Sequence, residues 1–186
     1  MSGATGWRDI LEPGEQIIWQ GRPDAAVTLK LRNILTLLFG VIFAGFALVW
    51  MLLAARAGGW FWMFGLIHFA VGAGIIWSAL FLGPWRRRHT WYTLSDRRAF
   101  VATDLPIRGK RLQSWPITPD ASLELIEGPP DTVNFATTLK RGEHSTYQVA
   151  VGFERIPDGK EVYRMLRDVQ ANAQARKALS NSPEDS

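Results

Sequence analysis

Two uninterrupted apolar blocks dominate the pattern of hydrophobic and polar positions along the 186-residue chain. The first covers residues 34–55 and the second covers residues 60–82, and neither contains a charged residue. A helix needs about 20 apolar residues to cross the ~30 Å hydrocarbon layer of a bilayer, so each block is long enough. A core helix of a soluble protein normally keeps a polar face over such a length. The pattern therefore predicts a hairpin of two transmembrane helices, joined by a short loop at residues 56–59.

Basic residues flank the two apolar blocks unevenly. Three lie within the twelve residues before the first block and three follow the second closely: Arg22, Lys30, Arg32, Arg86, Arg87 and Arg88. The loop between the blocks holds Arg56 alone. Cytoplasmic segments next to membrane spans are enriched in Lys and Arg. The bias predicts that residues 1–33 and everything after the second block lie in the cytoplasm, with residues 56–59 as a periplasmic loop.

The residues at the block ends predict how the hairpin is anchored. Tryptophan side chains favour the interface between hydrocarbon and water. Arginines that follow a span are attracted to the anionic inner leaflet. We therefore expect five residues to act as membrane anchors: Trp60, Trp85, Arg86, Arg87 and Arg88. The lipid bilayer is the first predicted partner of this chain.

His68 is the only ionisable residue inside either apolar block. An ionisable group at membrane depth is a functional candidate, and a transporter or redox subunit that uses His68 is one hypothesis. No carboxylate, Cys or second His is expected at the same depth of the first block, where Phe46 and Ala47 should lie. The favoured interpretation is a neutral imidazole that is hydrogen-bonded to a backbone carbonyl.

Small residues recur every four positions in both blocks. Gly40 and Ala44 do so in the first block, and Ala70, Gly74 and Ser78 do so in the second. Small side chains let membrane helices approach closely. The pattern favours packing of the two spans against each other, and a seam between two copies of the chain is the alternative.

From His89 onwards the pattern changes to short runs that are rich in aromatic and Thr residues. HTWYTL and AFVAT flank the turn SDRR and predict a β-hairpin. Further strands are predicted at RLQSWPI, SLELIEG, TVNFATTL and STYQVAVGF. Short strands at this spacing favour an antiparallel barrel or sandwich. Residues 89–176 are therefore predicted to form one cytoplasmic domain of the α+β class.

A C-terminal helix is expected to close this domain from about Gly159. Asp158 with Glu161 three positions later is a helix-start signal. One apolar stripe follows at helical spacing: Val162, Met165, Leu166 and Val169. The polar residues 177–186 are predicted to form a disordered tail. Near the other end of the chain, the apolar run in PGEQIIWQG predicts a short strand that docks on the same domain.

Four segments resemble the bacterial pleckstrin-homology-like (PH-like) membrane proteins that carry a transmembrane hairpin. They are LEPGEQIIWQGRPD, YTLSDRRAFV, TVNF and GFERIPDGKEVYRML, and together with the hairpin they cover almost the whole chain. The resemblance implies a partly open, seven-stranded barrel that is closed by one helix, with Tyr92 and Leu94 in its core. The Pro-Pro-Asp sequence at residues 129–131 departs from the glycine-rich turn expected there.

Composition excludes several kinds of chemistry. The chain has no cysteine, which excludes disulfides, Cys-ligated metals and Cys nucleophiles. It contains no nucleophile elbow and no phosphate-binding loop. His68, His89 and His144 are far apart and form no paired-ligand motif. The sequence therefore predicts no catalytic residue, no metal site and no cofactor, and the protein is predicted not to be an enzyme.

A basic segment after the hairpin is a candidate surface for a lipid or a protein partner. The candidate residues are Arg97, Arg98, Lys110 and Arg111, with Arg108 in the same segment, in a chain of net charge +4. Nucleic acid is disfavoured as a partner because the aromatic side chains needed for base stacking are not interleaved with these cations. Specific lipid recognition is also disfavoured at Arg97 and Arg98, because Asp96 adjoins them.

These patterns predict a non-enzymatic protein of the bacterial inner membrane with a cytoplasmic PH-like domain. Its predicted role is binding, scaffolding or assembly, with another membrane protein or further copies of the same chain as partner. A sensor of anionic lipids that uses the basic surface is the first alternative. The second is the small transporter or redox subunit that uses His68.

Overall fold

The computed structural model describes Trp7 and residues 9–28, 31–106, 109–142 and 145–180. Lys30, Arg108, His144 and residues 181–186 of the predicted tail lie outside these ranges. The chain divides into two compact units. One is the helical hairpin, Ala25–Arg88, and the other combines the described residues up to Asp24 with those from His89 onwards. The second unit is called the β-domain below.

The helical hairpin contains helices α1 (Leu31–Arg56), α2 (Phe64–Trp77) and α3 (Gly83–Arg88). A 3₁₀ turn at Phe61–Met63 leads into α2, and a π-helical turn at Ser78–Leu82 joins α2 to α3. The second helical stretch is therefore continuous from Phe61 to Arg88. It extends past the end of the predicted apolar block at residue 82 and includes the three arginines.

Local chemistry explains both the turn of the hairpin and the extension of its second helix. Gly58 and Gly59 connect the two arms with φ angles of +82° and +81°, which side chains other than glycine rarely adopt. Pro84 lacks the N–H that an α-helix would donate to the carbonyl four residues earlier. The wider π-helical turn directly before Pro84 is the kind of local adjustment that re-pairs such freed backbone groups.

Both arms of the hairpin are long and apolar enough to cross a membrane. α1 has 26 residues, which gives about 39 Å of helix. Only 17% of its apolar window and 11% of the window in the second arm are buried within the structure. The two arms are therefore unlike the core helices of a soluble protein, whose apolar side chains are mostly covered.

The two arms touch through glycine and alanine. A Cβ atom added at Gly72 would lie 2.8 Å from the backbone nitrogen of Ala44, and one added at Gly40 would lie 2.9 Å from the side chain of Ile76. The predicted packing role of Gly40 and Ala44 is confirmed. The role predicted for Gly74 in the same contact is wrong, because nothing lies within 4 Å of the equivalent point there.

The β-domain contains seven strands and one helix, in the regions where the sequence predicted them. The elements are β1 (Ile17–Gly21), β2 (Thr90–Ser95), β3 (Arg98–Leu105), β4 (Gly109–Pro116), β5 (Glu124–Ile126), β6 (Asp131–Arg141), β7 (Thr146–Ile156) and α4 (Gly159–Ser180). They form an antiparallel four-stranded sheet, β1-β2-β3-β4, and an antiparallel three-stranded sheet, β5-β6-β7. The two sheets are not joined into a closed barrel. The predicted docking of the N-terminal strand is confirmed by the β1–β2 ladder.

One core is formed by both sheets and α4. Phe135 and Phe153 meet edge to face with ring centroids 4.8 Å apart. Tyr92 and Leu94 are buried, as the family resemblance implies. The apolar stripe of α4 faces this core, with Val162, Leu166 and Val169 buried and Met165 partly buried. The predicted docking of the C-terminal helix is thereby confirmed.

A hydrogen bond between the first strand and the residue before the last helix explains two features of the sequence, the Trp19-x-Gly21 pattern and Asp158. The indole N–H of Trp19 donates to Oδ2 of Asp158 at 2.5 Å, directly before α4 begins. The Trp19 ring also lies over Gly21, where an added Cβ would come within 2.3 Å of it. The Trp-x-Gly motif therefore needs its glycine to make room for the ring. Asp158 was predicted as a helix cap, and its carboxylate accepts this bond from the first strand.

α4 continues further than the sequence predicted. The expected domain boundary lay at residue 176, whereas the helix runs through Ser180. Its last turns carry Ala175, Ala178 and Leu179, which are good helix formers. The start of the predicted tail is corrected accordingly.

Candidate functional site

The turn between β2 and β3 presents the first pair of predicted surface arginines. The hydroxyl of Ser95 accepts the backbone N–H groups of Arg97 and Arg98 at 3.2 and 2.8 Å. A serine that bonds its own downstream backbone is a common way to fix a tight turn. The turn thus has a defined shape, from which both guanidinium groups extend.

The segment that precedes β1, described at Trp7 and residues 9–16 and called the N-terminal segment here, supplies carboxylates to these arginines. Glu15 contacts Nη2 of Arg98 at 2.5 Å, and Glu12 contacts Nη1 of Arg97 at 3.2 Å and Nη1 of Arg98 at 3.5 Å. Ser95 also donates its hydroxyl to Oε1 of Glu15 at 2.5 Å. We call Glu12 and Glu15 the acidic clasp. Asp96, the expected neutralising group, is a more distant partner, 3.9 Å from Nε of Arg97.

Aromatic contacts extend this attachment over the outer surface of the first sheet. The ring of Trp7 meets the ring of Phe100 edge to face, with centroids 5.3 Å apart. The guanidinium of Arg98 lies 5.3 Å from the centroid of the same Phe100 ring. Phe100 is consequently buried although it lies on the face opposite the core. The N-terminal segment therefore covers this part of the sheet.

Glu15 is the most strongly perturbed carboxyl group among the described residues. Burial alone would raise its pKa, but hydrogen bonds from Arg98 and Ser95 outweigh that effect and lower the pKa to about 2. The same hydrogen bond with Glu15 raises the pKa of Arg98. Both groups are therefore charged at neutral pH, and each neutralises the other.

The four predicted surface cations fall into two separate pairs. In the β3–β4 ladder Arg98 is opposite Pro116, whereas Arg111 is opposite Thr103 and Lys110 is opposite Asp104. Five residues along β3 correspond to about 17 Å, so the pairs lie at opposite ends of the sheet. The structure does not bring them into one basic face. Lys110 and Arg111 are exposed, in contrast to the clasped pair.

His68 lines a cleft of about 270 Å³ between the two arms of the hairpin. The other walls are mainly aromatic, and Phe46 and Ala47 lie there as the sequence predicted. Nδ1 of His68 is 3.3 Å from the backbone oxygen of Phe64, so the expected bond to a carbonyl is present. Because a carbonyl only accepts, Nδ1 carries the proton in this bond.

The predicted membrane anchors lie at the two ends of the helical hairpin. Trp60 is at the loop end and is largely exposed. Trp85 and the three arginines form α3 at the other end, where cations also complement the negative end of the helix dipole. Nη2 of Arg87 donates to the carbonyl oxygen of Ala26 at 2.6 Å, which ties α3 to the segment that enters α1.

Sequence reasoning missed the acidic clasp. Glu12 and Glu15 are about 80 positions away from the arginines that they bind, and no local pattern links such distant residues. One signal was available, because Glu12 and Glu15 both lie in LEPGEQIIWQGRPD, one of the segments that carry the family resemblance. No cluster of three or more His, Asp or Glu side chains that could hold a metal occurs in the part of the chain that the structure describes.

No protein-family model matches this sequence, and the searches of curated proteins and of solved structures found no significant match either.

Proposed function

We propose that this protein is a non-enzymatic integral membrane protein whose β-domain binds or scaffolds another membrane protein at the bacterial inner membrane. In this proposal the helical hairpin crosses the bilayer twice and both termini are cytoplasmic. The observation that carries the proposal is the surface of the hairpin. Its large apolar side chains, such as Leu38, Leu52 and Ile67, are exposed rather than buried within the structure.

A bilayer is the environment that suits such a surface. Burying apolar area is favourable by about 25 cal/mol per Å², so two exposed apolar arms of this length would be costly in water. Neither apolar block contains a charged residue that would oppose insertion. The distribution of basic residues supports the orientation, with Arg86, Arg87 and Arg88 after the second arm and Arg56 alone in the loop.

The β-domain is assigned to the PH-like class as part of the same proposal. Seven strands followed by one closing helix is what the sequence resemblance implies, and the observed element order supports it. PH-like domains serve many unrelated functions, so the fold alone does not name a ligand. The exposed pair Lys110 and Arg111 is the part of the predicted surface that is open to a partner.

Site-specific crosslinking in native membranes tests the proposed binding role. A photoreactive residue at Lys110 or Arg111 should yield a discrete adduct with another membrane protein. The same labelled protein kept in the dark provides the control and should give none. If no adduct appears from any exposed position of the β-domain, the scaffolding role is refuted.

Reporter fusions test the orientation separately. A reporter that is active only in the periplasm should work when it is inserted at Gly58, in the loop of the hairpin. The same reporter fused after Ser186 should be inactive, because the basic residues hold that side in the cytoplasm. Periplasmic activity at Ser186 would contradict the proposed topology.

A further inference from the structure

The far end of the β6–β7 ladder is a two-stranded ribbon that no described residue of the β-domain covers with a second layer. Residues 137–141 pair regularly with residues 146–150, beyond the register shifts near Asn134. Side chains on both faces of this stretch are exposed or half-buried. At the other end of the same strands Phe135 and Phe153 are in the core. We call residues 137–141 and 146–150 the basic ribbon.

The basic ribbon exposes two large side chains with apolar surface. Leu139 is 67% exposed and Tyr147 is 51% exposed. A two-stranded hairpin without a packed face is at best marginally stable in water. The exposed leucine and tyrosine therefore mark this ribbon as a surface that a partner would cover.

The side chains of the basic ribbon define the chemistry of that partner. Leu139 and Arg141 lie on one face of the ribbon, and Lys140 lies on the other face, directly opposite Tyr147 in the ladder. Between residues 132 and 153 the sequence has only one acidic residue, Glu143. Each face thus carries one apolar or aromatic side chain and one flexible cation, and a thin ribbon that enters end-on presents both faces to the boundary between lipid headgroups and acyl chains.

We propose that the basic ribbon binds the surface of an anionic lipid bilayer and inserts Leu139 at the level of the headgroups. This inference rests on the proposed insertion of the helical hairpin. The hairpin keeps the β-domain tethered to the membrane, and a tethered surface binds at a high effective concentration. A symmetric contact between two ribbon tips would instead bring Lys140 and Arg141 against like charges, which is unfavourable.

An environment-sensitive fluorophore at Leu139 tests the inference. The chain has no cysteine, so Leu139→Cys in the full-length protein gives a single labelling site for an NBD dye. The labelled protein is reconstituted in nanodiscs of phosphatidylcholine, with and without phosphatidylglycerol. We expect a blue shift of the emission only in the discs that contain the anionic lipid, and reversal of that shift at high salt, because exposed charges are screened.

Two further variants make the result specific. Leu179→Cys, at a site that is 77% exposed near the end of α4, provides the label control and should not respond to the lipid. Lys140→Gln with Arg141→Gln should lower the membrane-bound fraction of the Leu139 label, with a loss in the association constant of about 25-fold, from about fivefold per basic residue. Unchanged circular dichroism would verify that these exposed substitutions leave the fold intact.

Three outcomes would overturn the inference. Equal emission in both kinds of disc would show that the ribbon does not recognise anionic lipid. A shift that appears only when two chains share one disc would identify a second copy as the partner. Failure of the full-length protein to enter nanodiscs would refute the membrane insertion on which the inference rests, and it is detected before any fluorescence is measured.

Discussion

The helical hairpin and the β-domain use opposite kinds of residue at their internal contacts. In the hairpin the buried positions are small, such as Gly40, Ala44 and Gly72, and the large apolar side chains are outside. In the β-domain the buried positions are large, such as Phe135 and Phe153. The hairpin gains its contact from the close approach of two backbones, whereas the β-domain gains it from interlocking side chains.

This difference implies opposite sensitivities to mutation. Removing volume or adding charge in the core should destabilise the β-domain, because a cavity or an unpaired charge among its large side chains would not be compensated. Adding volume at a contact glycine should weaken the packing of the two arms, because an added side chain there would clash with the other arm. The predictions below challenge these two expectations, beginning with the largest effect.

Leu166→Asp in α4 should cause the largest loss. Leu166 is completely buried between the helix and both sheets, so the substitution would place an unpaired carboxylate in an apolar core. We expect a loss of more than about 4 kcal/mol in the free energy of unfolding of the β-domain. Thermal unfolding of the purified protein, followed by tryptophan fluorescence, measures it.

The same helix offers the matched control for that substitution. Leu179→Asp changes an exposed leucine near the end of α4 and should leave the unfolding temperature almost unchanged. Equal melting of both variants would contradict the docked helix.

Glu15→Gln tests the buried charge of the β-domain, which has no counterpart among the described residues of the hairpin. The folded-state pKa of Glu15 is about 2, below the ordinary value of 4.5. Its ionised form therefore stabilises the fold above pH 4.5, and that contribution disappears as the pH falls through 2. This lowering of the pKa corresponds to on the order of 3 kcal/mol in the free energy of unfolding, which we expect Glu15→Gln to lose at neutral pH.

The pH dependence distinguishes this electrostatic role from simple packing. Wild type should be more stable than Glu15→Gln at pH 7, and the gap should shrink between pH 5 and pH 2. Glu12→Gln, at the exposed member of the acidic clasp, should cost less than about 1 kcal/mol. A stability gap for Glu15→Gln that does not change with pH would refute the low pKa.

How well the sequence predicted each region follows from the distance between interacting residues. The strands and α4 were predictable because alternation and helical spacing are local patterns, and Leu166 appears in one of them. The acidic clasp was not predictable, because Glu15 and Arg98 are 83 positions apart in the sequence, with the whole helical hairpin between them. The separation of Arg98 from Arg111 was not predictable either, since it depends on the register of β3 with β4.

The smallest predicted effect concerns the hairpin, where a matched pair of glycines lies on one helix. Gly72 lies against the backbone of Ala44, whereas Gly74 has open space around it. Gly72→Ile should therefore push the arms apart and cost about 1–3 kcal/mol. Gly74→Ile adds the same side chain on a surface that the proposal assigns to lipid, and it should cost little.

A proximity measurement in bilayers is the direct readout, because unfolding of the β-domain need not report on the hairpin. The absence of cysteines allows Phe43→Cys with His68→Cys as a single crosslinking pair, at positions whose rings lie 6.2 Å apart across the two arms and where the substitution adds no volume. Crosslinking yield should fall when Gly72→Ile is added and should persist when Gly74→Ile is added. If both glycine variants crosslink alike, close backbone approach is not what joins the arms, and the contrast between the two regions fails at the hairpin.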